Sequence, residues 1–174
     1  MNISRILKIV PFSIALAMLV ACDTDSSSAD SSPYGDVRYE RHLPGSDASA
    51  DCYVYKKGHL FSVVMEQHFG LIGEITVVSQ LELDSPSKIH EEVSLMGAIS
   101  PSIVTNYCSQ EKALYEESMG GTVTCSKSKV VADVTLGDTQ ADKLEAARET
   151  AVAKLSVSCD DFIEQFEDDV LSEE

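Results

Sequence analysis

Five cysteines and four histidines carry most of the reactive side chains in this 174-residue chain. Cys52, Cys108, Cys125 and Cys159 are dispersed, and no Cys-x-x-Cys occurs. Neither thioredoxin-type exchange nor a zinc knuckle therefore has its spacing. An even set of dispersed cysteines reads as two disulfides once a chain enters an oxidising compartment. Cys108 lies about ten residues before the end of a predicted helix, roughly 15 Å. Cys125 lies a similar distance into the strand that returns. The two are level, which favours Cys108 with Cys125 and leaves Cys52 with Cys159. Cys125 and Cys159 can also be made level through the longer strand, so that pairing stays open. His42, His59, His68 and His90 form no His-Glu-x-x-His zinc motif. His59 and His68 bracket a predicted strand, where either could approach a carboxylate, although ordinary strand-end histidines are the simpler reading. There is no Gly-x-Ser-x-Gly elbow, phosphate loop or dinucleotide fingerprint. Gly70-Leu71-Ile72-Gly73 is too short for one and precedes a strand. Asp133 to Asp142 lacks calcium-loop spacing, and acid pairs such as Glu91-Glu92 carry little information in so acidic a chain. No metal, no cofactor and no catalytic residue is expected. Tyr53, Tyr55 and Tyr107 fall at expected core positions.

The fifth cysteine differs in its surroundings. Arg5 and Lys8 precede an apolar run from Ile9 to Val20, and Leu19-Val20-Ala21-Cys22 closes it. Twelve helical residues span about 18 Å, too short for a hydrocarbon core of about 30 Å, and Pro11 weakens the helix further. The pattern resembles a bacterial type II signal peptide ending in a lipobox. The resemblance covers residues 1–22 and implies cleavage before Cys22, with the Cys22 thiol joined to diacylglycerol. Two or three acyl chains, at about 0.8 kcal/mol per buried CH₂, hold a protein firmly to a bilayer. Asp23 resembles an inner-membrane retention signal, so the inner membrane facing the periplasm is favoured over the outer membrane.

Asp and Glu number 29 against 13 Lys and Arg, a net charge of −16. Two of the bases and none of the acids lie in the signal, so the exported chain is more acidic still. This excludes nucleic-acid binding, which needs cations to displace counterions. It also opposes adhesion of the protein surface to anionic lipid, which the acyl anchor must overcome. Solubility is the simplest consequence, and a basic partner is compatible.

Three segments follow: a signal over 1–21, a lipidated cysteine and flexible tether over 22–51, and a single globular domain over 52–174. Residues 23–36 are mostly Ser, Asp and other small polar types that cannot repay the entropy of ordering. Val37-Arg38-Tyr39-Glu40 offers an optional edge strand. Within the domain, Cys52 to Tyr55, Leu60 to Glu66 and Leu71 to Leu83 read as a three-stranded meander. The alternation of Ile75, Val77 and Leu81 with Thr76, Gln80 and Glu82 is the clearest strand signal. Ser85-Pro86 and Ser100-Pro101 each read as a helix start. The first predicted helix carries Ile89, Val93 and Met96 at i, i+4 and i+7. Gly120-Gly121 stops the second, and Thr122 to Leu136 returns as a strand whose parity change needs a bulge or a hairpin. From a Thr139 cap, Leu144, Ala151, Leu155, Cys159, Ile163 and Phe166 mark a long amphipathic helix. The expected fold is α+β: an antiparallel sheet of about four strands with about three helices packed on one face, stapled by disulfides.

No family is recognised beyond the lipobox. The expected role is a membrane-anchored envelope lipoprotein with a periplasm-facing, non-enzymatic binding or assembly module. An inhibitor or immunity-type lipoprotein that neutralises a basic toxin or hydrolase is the first alternative, since opposite charge speeds capture. An envelope enzyme with an unrecognised site is the second; a pocket gathering His59 or His68 with carboxylates would favour it. The run from Asp160 to Glu174 holds no base. Its acids Asp160, Asp161, Glu164, Glu167 and Asp168 are expected to face solvent, as a solvated tail, or else to dock a basic protein or Ca²⁺.

Overall fold

The computed structural model describes residues 32–98 and 101–171. Five strands come first: β1 (Asp36–Leu43), β2 (Ser49–Lys57), β3 (Leu60–His68), β4 (Gly73–Glu82) and β5 (Lys88–Gly97). Helix α1 (Pro101–Glu111) runs on as a wider π turn over Lys112–Ser118. β6 (Thr122–Cys125), β7 (Lys129–Thr135) and the 31-residue helix α2 (Ala141–Leu171) complete the chain. All pairs are antiparallel in one sheet ordered β1-β2-β3-β4-β5-β7-β6.

The expected four strands and three helices are thus corrected to seven strands and two helices among the described residues. The largest error lies at β5. Its inward positions are Ile89, Glu91, Val93 and Leu95, all buried. A glutamate occupies one core position and breaks the apolar alternation that marks a strand. The helical reading needed Met96 inward, but Met96 is 58% exposed. Ser85-Pro86 belongs to the β4–β5 turn, with a cis peptide between them, and caps no helix. The Ser100-Pro101 start falls partly outside the described residues, and α1 begins at Pro101.

Two further corrections concern strands. Residues 22–51 read as tether with an optional edge strand at Val37 to Glu40; that strand is present and longer, β1 over Asp36–Leu43, and β2 starts at Ser49, so the folded unit begins well before Cys52. A bulge at Arg38 shifts the register between Val37 and Tyr39. Beyond it Tyr39, Arg41 and Leu43 stand opposite Val54, Cys52 and Ala50. Two of the inward positions are thus polar-tipped, which hides the strand. The stretch from Thr122 to Leu136 is a hairpin: Ser126 N donates to Lys129 O at 2.8 Å. Odd-numbered Val123 and Cys125 therefore pair with even-numbered Ala132 and Val130.

Both helices lie on one face of the sheet, as the sequence implies. Phe61, Val63, Ile75, Val93 and Val130 are buried under them. The stripe Leu144, Ala151, Leu155, Cys159, Ile163 and Phe166 seats α2. That helix starts at Ala141 rather than beside Thr139: Leu144 N donates to Gln140 O, while Thr139 Oγ1 turns to Gly137 O. Arg148 Nε and Nη2 both donate to Leu83 O, at 2.8 and 2.5 Å, and Nη2 reaches Asp84 Oδ1 at 3.0 Å. No helix among the described residues is long and apolar enough to cross a membrane. The disulfides pair as the spacing favours. Cys52–Cys159 joins β2 to α2 with Cα atoms 5.5 Å apart, and Cys108–Cys125 joins α1 to β6 at 5.9 Å.

One polar cluster sits inside this core. Glu91 Oε2 accepts from Ser79 Oγ and from Tyr115 Oη, each at 2.9 Å. Glu111 is also buried and shares a hydrogen bond with Glu91. Residues 107, 111 and 115 are spaced by four, so α1 and its π turn aim Tyr107, Glu111 and Tyr115 at one place. Burial, then the adjacent Glu91, pushes the Glu111 carboxyl up to about 8. Burial likewise raises Glu91. Two such groups cannot both ionise without a large cost, and the pair holds a proton at neutral pH.

Two stability predictions follow from these features. The bridges close loops of 107 and 17 residues. Chain entropy then gives about 5 kcal/mol for the longer and about 3 kcal/mol for the shorter. Denaturant unfolding of Cys52→Ala/Cys159→Ala should accordingly show a larger loss than Cys108→Ala/Cys125→Ala; the reverse order would refute the ranking. For Glu111, the folded value of about 8 exceeds the ordinary 4.5. Its contribution is fully present below about pH 4.5 and is lost as pH rises through 8, because the unfolded chain releases the proton first. Glu111→Gln keeps a donor toward Glu91 and does not titrate. Its Tm should exceed the parent's by a few degrees at pH 8, with the gap closing toward pH 5; parallel Tm–pH curves would exclude the shared proton.

Candidate functional site

Alternation in every strand gives the sheet a second face. Among the described residues no helix packs on it. It carries His42 and Glu40 from β1, Asp51, Tyr53 and Tyr55 from β2, and Glu66 and His68 from β3. Across β4, β5 and β7 it continues with Glu74, Gln80, Glu82, His90, Glu92 and Asp133. Tyr53 and Tyr55, expected in the core, are half-buried here, because Cys52 and Val54 take the inward positions; Tyr107 is in the core as expected. The rings of Tyr34, Tyr55 and Tyr53 follow one another at 5.5 and 6.0 Å between centroids, and His42 lies edge-on to Tyr53 at 5.4 Å. Val64 and Val78, opposite one another at the middle of the face, are themselves buried.

The register sets three of the four histidines directly across from a carboxylate: His42 with Asp51, His68 with Glu74, and His90 with Asp133. His42 Nδ1 lies 2.5 Å from Asp51 Oδ1, and His90 Nδ1 lies 2.7 Å from Asp133 Oδ1. His68 Nδ1 lies 3.2 Å from Glu74 Oε2, and its Nε2 faces Asp51 Oδ2 at 3.7 Å. The fourth, His59, contacts Asp84 at 2.8 Å near the Arg148 anchor. His68 stands between Glu74 and Asp51, with Glu66 beside it. Asp51 is paired directly with Glu66, which is two residues before His68 on the same side of β3. Like charges directly opposite in a sheet are unfavourable. Burial, followed by repulsion from Glu74, raises the Glu66 carboxyl; His68 lowers it and Asp51 raises it further. One ligand atom from each of Asp51, Glu66 and His68 lies within 4.8 Å of the others. This trio is the set on the face able to hold a cation.

A groove of ≈ 390 Å³ runs along the same face, lined by Leu60, Gln80, Glu82, Lys88, His90 and Asp133 with Gly120 and Gly121 at one end. Lys88 Nζ donates to Glu82 Oε2 at 2.9 Å within it. The histidine in the groove is His90, neither His59 nor His68.

The acids of α2 divide. Asp160 Oδ1 accepts from Tyr39 Oη and from Arg41 Nη1, each at 2.5 Å, so it fastens α2 to β1 and is not free for a partner. Burial raises its carboxyl, but the Tyr39 and Arg41 hydrogen bonds outweigh that and hold it low. Glu164 lies 3.8 Å from Arg41 and stays exposed. Asp161 and Asp168 are exposed and Glu167 is half-buried. Cys22 lies outside the described residues. The sequence signal for the face was the alternation in β2 and β3. Pairing His68 with Glu74 and Asp51 required the register.

The chain matches no family profile, and no curated protein or solved structure matches it.

Proposed function

We propose that this protein is a lipid-anchored envelope protein whose domain is a non-enzymatic binding or assembly module, with the sheet face on which no described helix packs as its binding surface. The coverage of the sheet carries the reading. Both described helices serve the opposite face, and this one presents a row of neighbouring tyrosines, paired histidines and a groove. Aromatic rings and polar groups on a rigid sheet supply contact area at low entropic cost. The lipobox at Cys22 supplies the anchor, and Asp23 favours the inner membrane facing the periplasm.

The second reading is an inhibitor or immunity-type protein. It rests on the exposure of Asp161, Glu164 and Asp168 along α2, which suits the capture of a basic protein.

Two measurements test these readings. Cys22→Ser should abolish incorporation of labelled fatty acid and release the chain from membranes; a labelled, membrane-bound variant places the anchor elsewhere. Photo-crosslinking residues at 55 and 124, on the sheet face, should trap an envelope component in living cells, whereas residues at 161 and 168 should not. Crosslinks only from 161 and 168 would move the function to the acidic helix. Silence from all four positions would sink the binding module itself.

A further inference from the structure

We infer that Asp51, Glu66 and His68 form a binding site for a divalent transition-metal ion, with Zn²⁺ the best fit, through two carboxylate oxygens and one imidazole nitrogen. The three ligand atoms lie within 4.8 Å of one another. Tetrahedral ligands bound at about 2.0–2.2 Å stand roughly 3.3–3.6 Å apart, so a side-chain contraction of about an ångström closes the set. His68 Nε2 and Asp51 Oδ2, at 3.7 Å, already stand close to that separation.

The remaining polar atoms are held in the manner of an outer ligand shell. Glu74 stands 3.2 Å from His68 Nδ1, which keeps a proton on that nitrogen and turns the Nε2 lone pair toward Asp51 and Glu66. Thr76 Oγ1 in turn donates to Glu74 Oε1 at 3.0 Å. His42 occupies Asp51 Oδ1 at 2.5 Å, leaving Oδ2 for the site. His42 and His90 each face a carboxylate across the strands, Asp51 and Asp133. At His68 the sheet instead sets Asp51 against Glu66, two like charges whose opposition costs stability without a cation. A nitrogen with two carboxylate oxygens selects Zn²⁺ and its neighbours over Mg²⁺ or Ca²⁺, which prefer oxygen alone. Neither the anchor at Cys22 nor a protein partner is needed for this site, so its failure would leave the proposed function standing.

The test is calorimetric titration of the chelator-stripped full-chain protein with Zn²⁺, with Co²⁺ absorption as a second probe. One saturable equivalent should bind, with Co²⁺ giving bands of a low-coordinate nitrogen–oxygen site. His68→Ala and His68→Gln should abolish that equivalent, and Glu74→Gln should weaken it by about 10–100-fold. His90→Ala, at a simple cross-strand pair, should bind as the parent does. Circular dichroism establishes that each variant is folded. The inference is overturned if no saturable equivalent appears, if both His68 variants bind as the parent does, or if Ca²⁺ displaces Zn²⁺ at equal concentration.

Discussion

A sheet covered on one side obliges every strand to keep parity, and the rest of this structure depends on that constraint. Register errors of one residue exchange the two faces of a strand. Here six antiparallel ladders hold in step, so that the inward positions of seven strands form one surface for two helices. Cys52 is one of those inward positions, and its bond to Cys159 clamps α2 over β2. Where parity would be lost, the chain inserts a correction: a bulge at Arg38, and a hairpin at Ser126 to Ser128.

The same constraint makes the opposite face a place where polar chemistry collects. Residues two apart share a side, and antiparallel register sets a residue from one strand across from a residue of the next. Glu66 and His68 become neighbours through the first rule. Asp51 and Glu74 join them through the second. The core shows the converse case: Glu91 and Glu111, far apart in the chain, meet inside because each falls at an inward position of its own element.

The elements that were legible share a property. In β3, β4 and α2 the inward residues are nearly all apolar, so local periodicity reports the tertiary face directly. Where a polar group goes inward, that report fails. Glu91 in β5 made a strand look helical, and Tyr39 and Arg41 in β1 left that strand only an optional edge within the tether. Both exceptions have partners that no local window contains: Ser79, Tyr115 and Glu111 for the first, Asp160 for the second. Asp160 shows the same effect in reverse. It looked free because its run of acids holds no base, yet Arg41, from the other end of the fold, takes it up.

The amino-acid sequence by itself determined the acidity, the lipobox-like run that ends at Cys22, the central meander, the amphipathic last helix, the helices on one face and the favoured disulfide pairing. Those properties follow from composition, short spacing and one-sided apolar patterns, which act along the chain. The number of strands, the outward placement of Tyr53 and Tyr55, the capture of Asp160 and the convergence of Asp51, Glu66, His68 and Glu74 were decided only by the tertiary structure. Each depends on which strand lies beside which and in what register. That is set by the packing of the whole sheet against its helices, and no local stretch of sequence carries it.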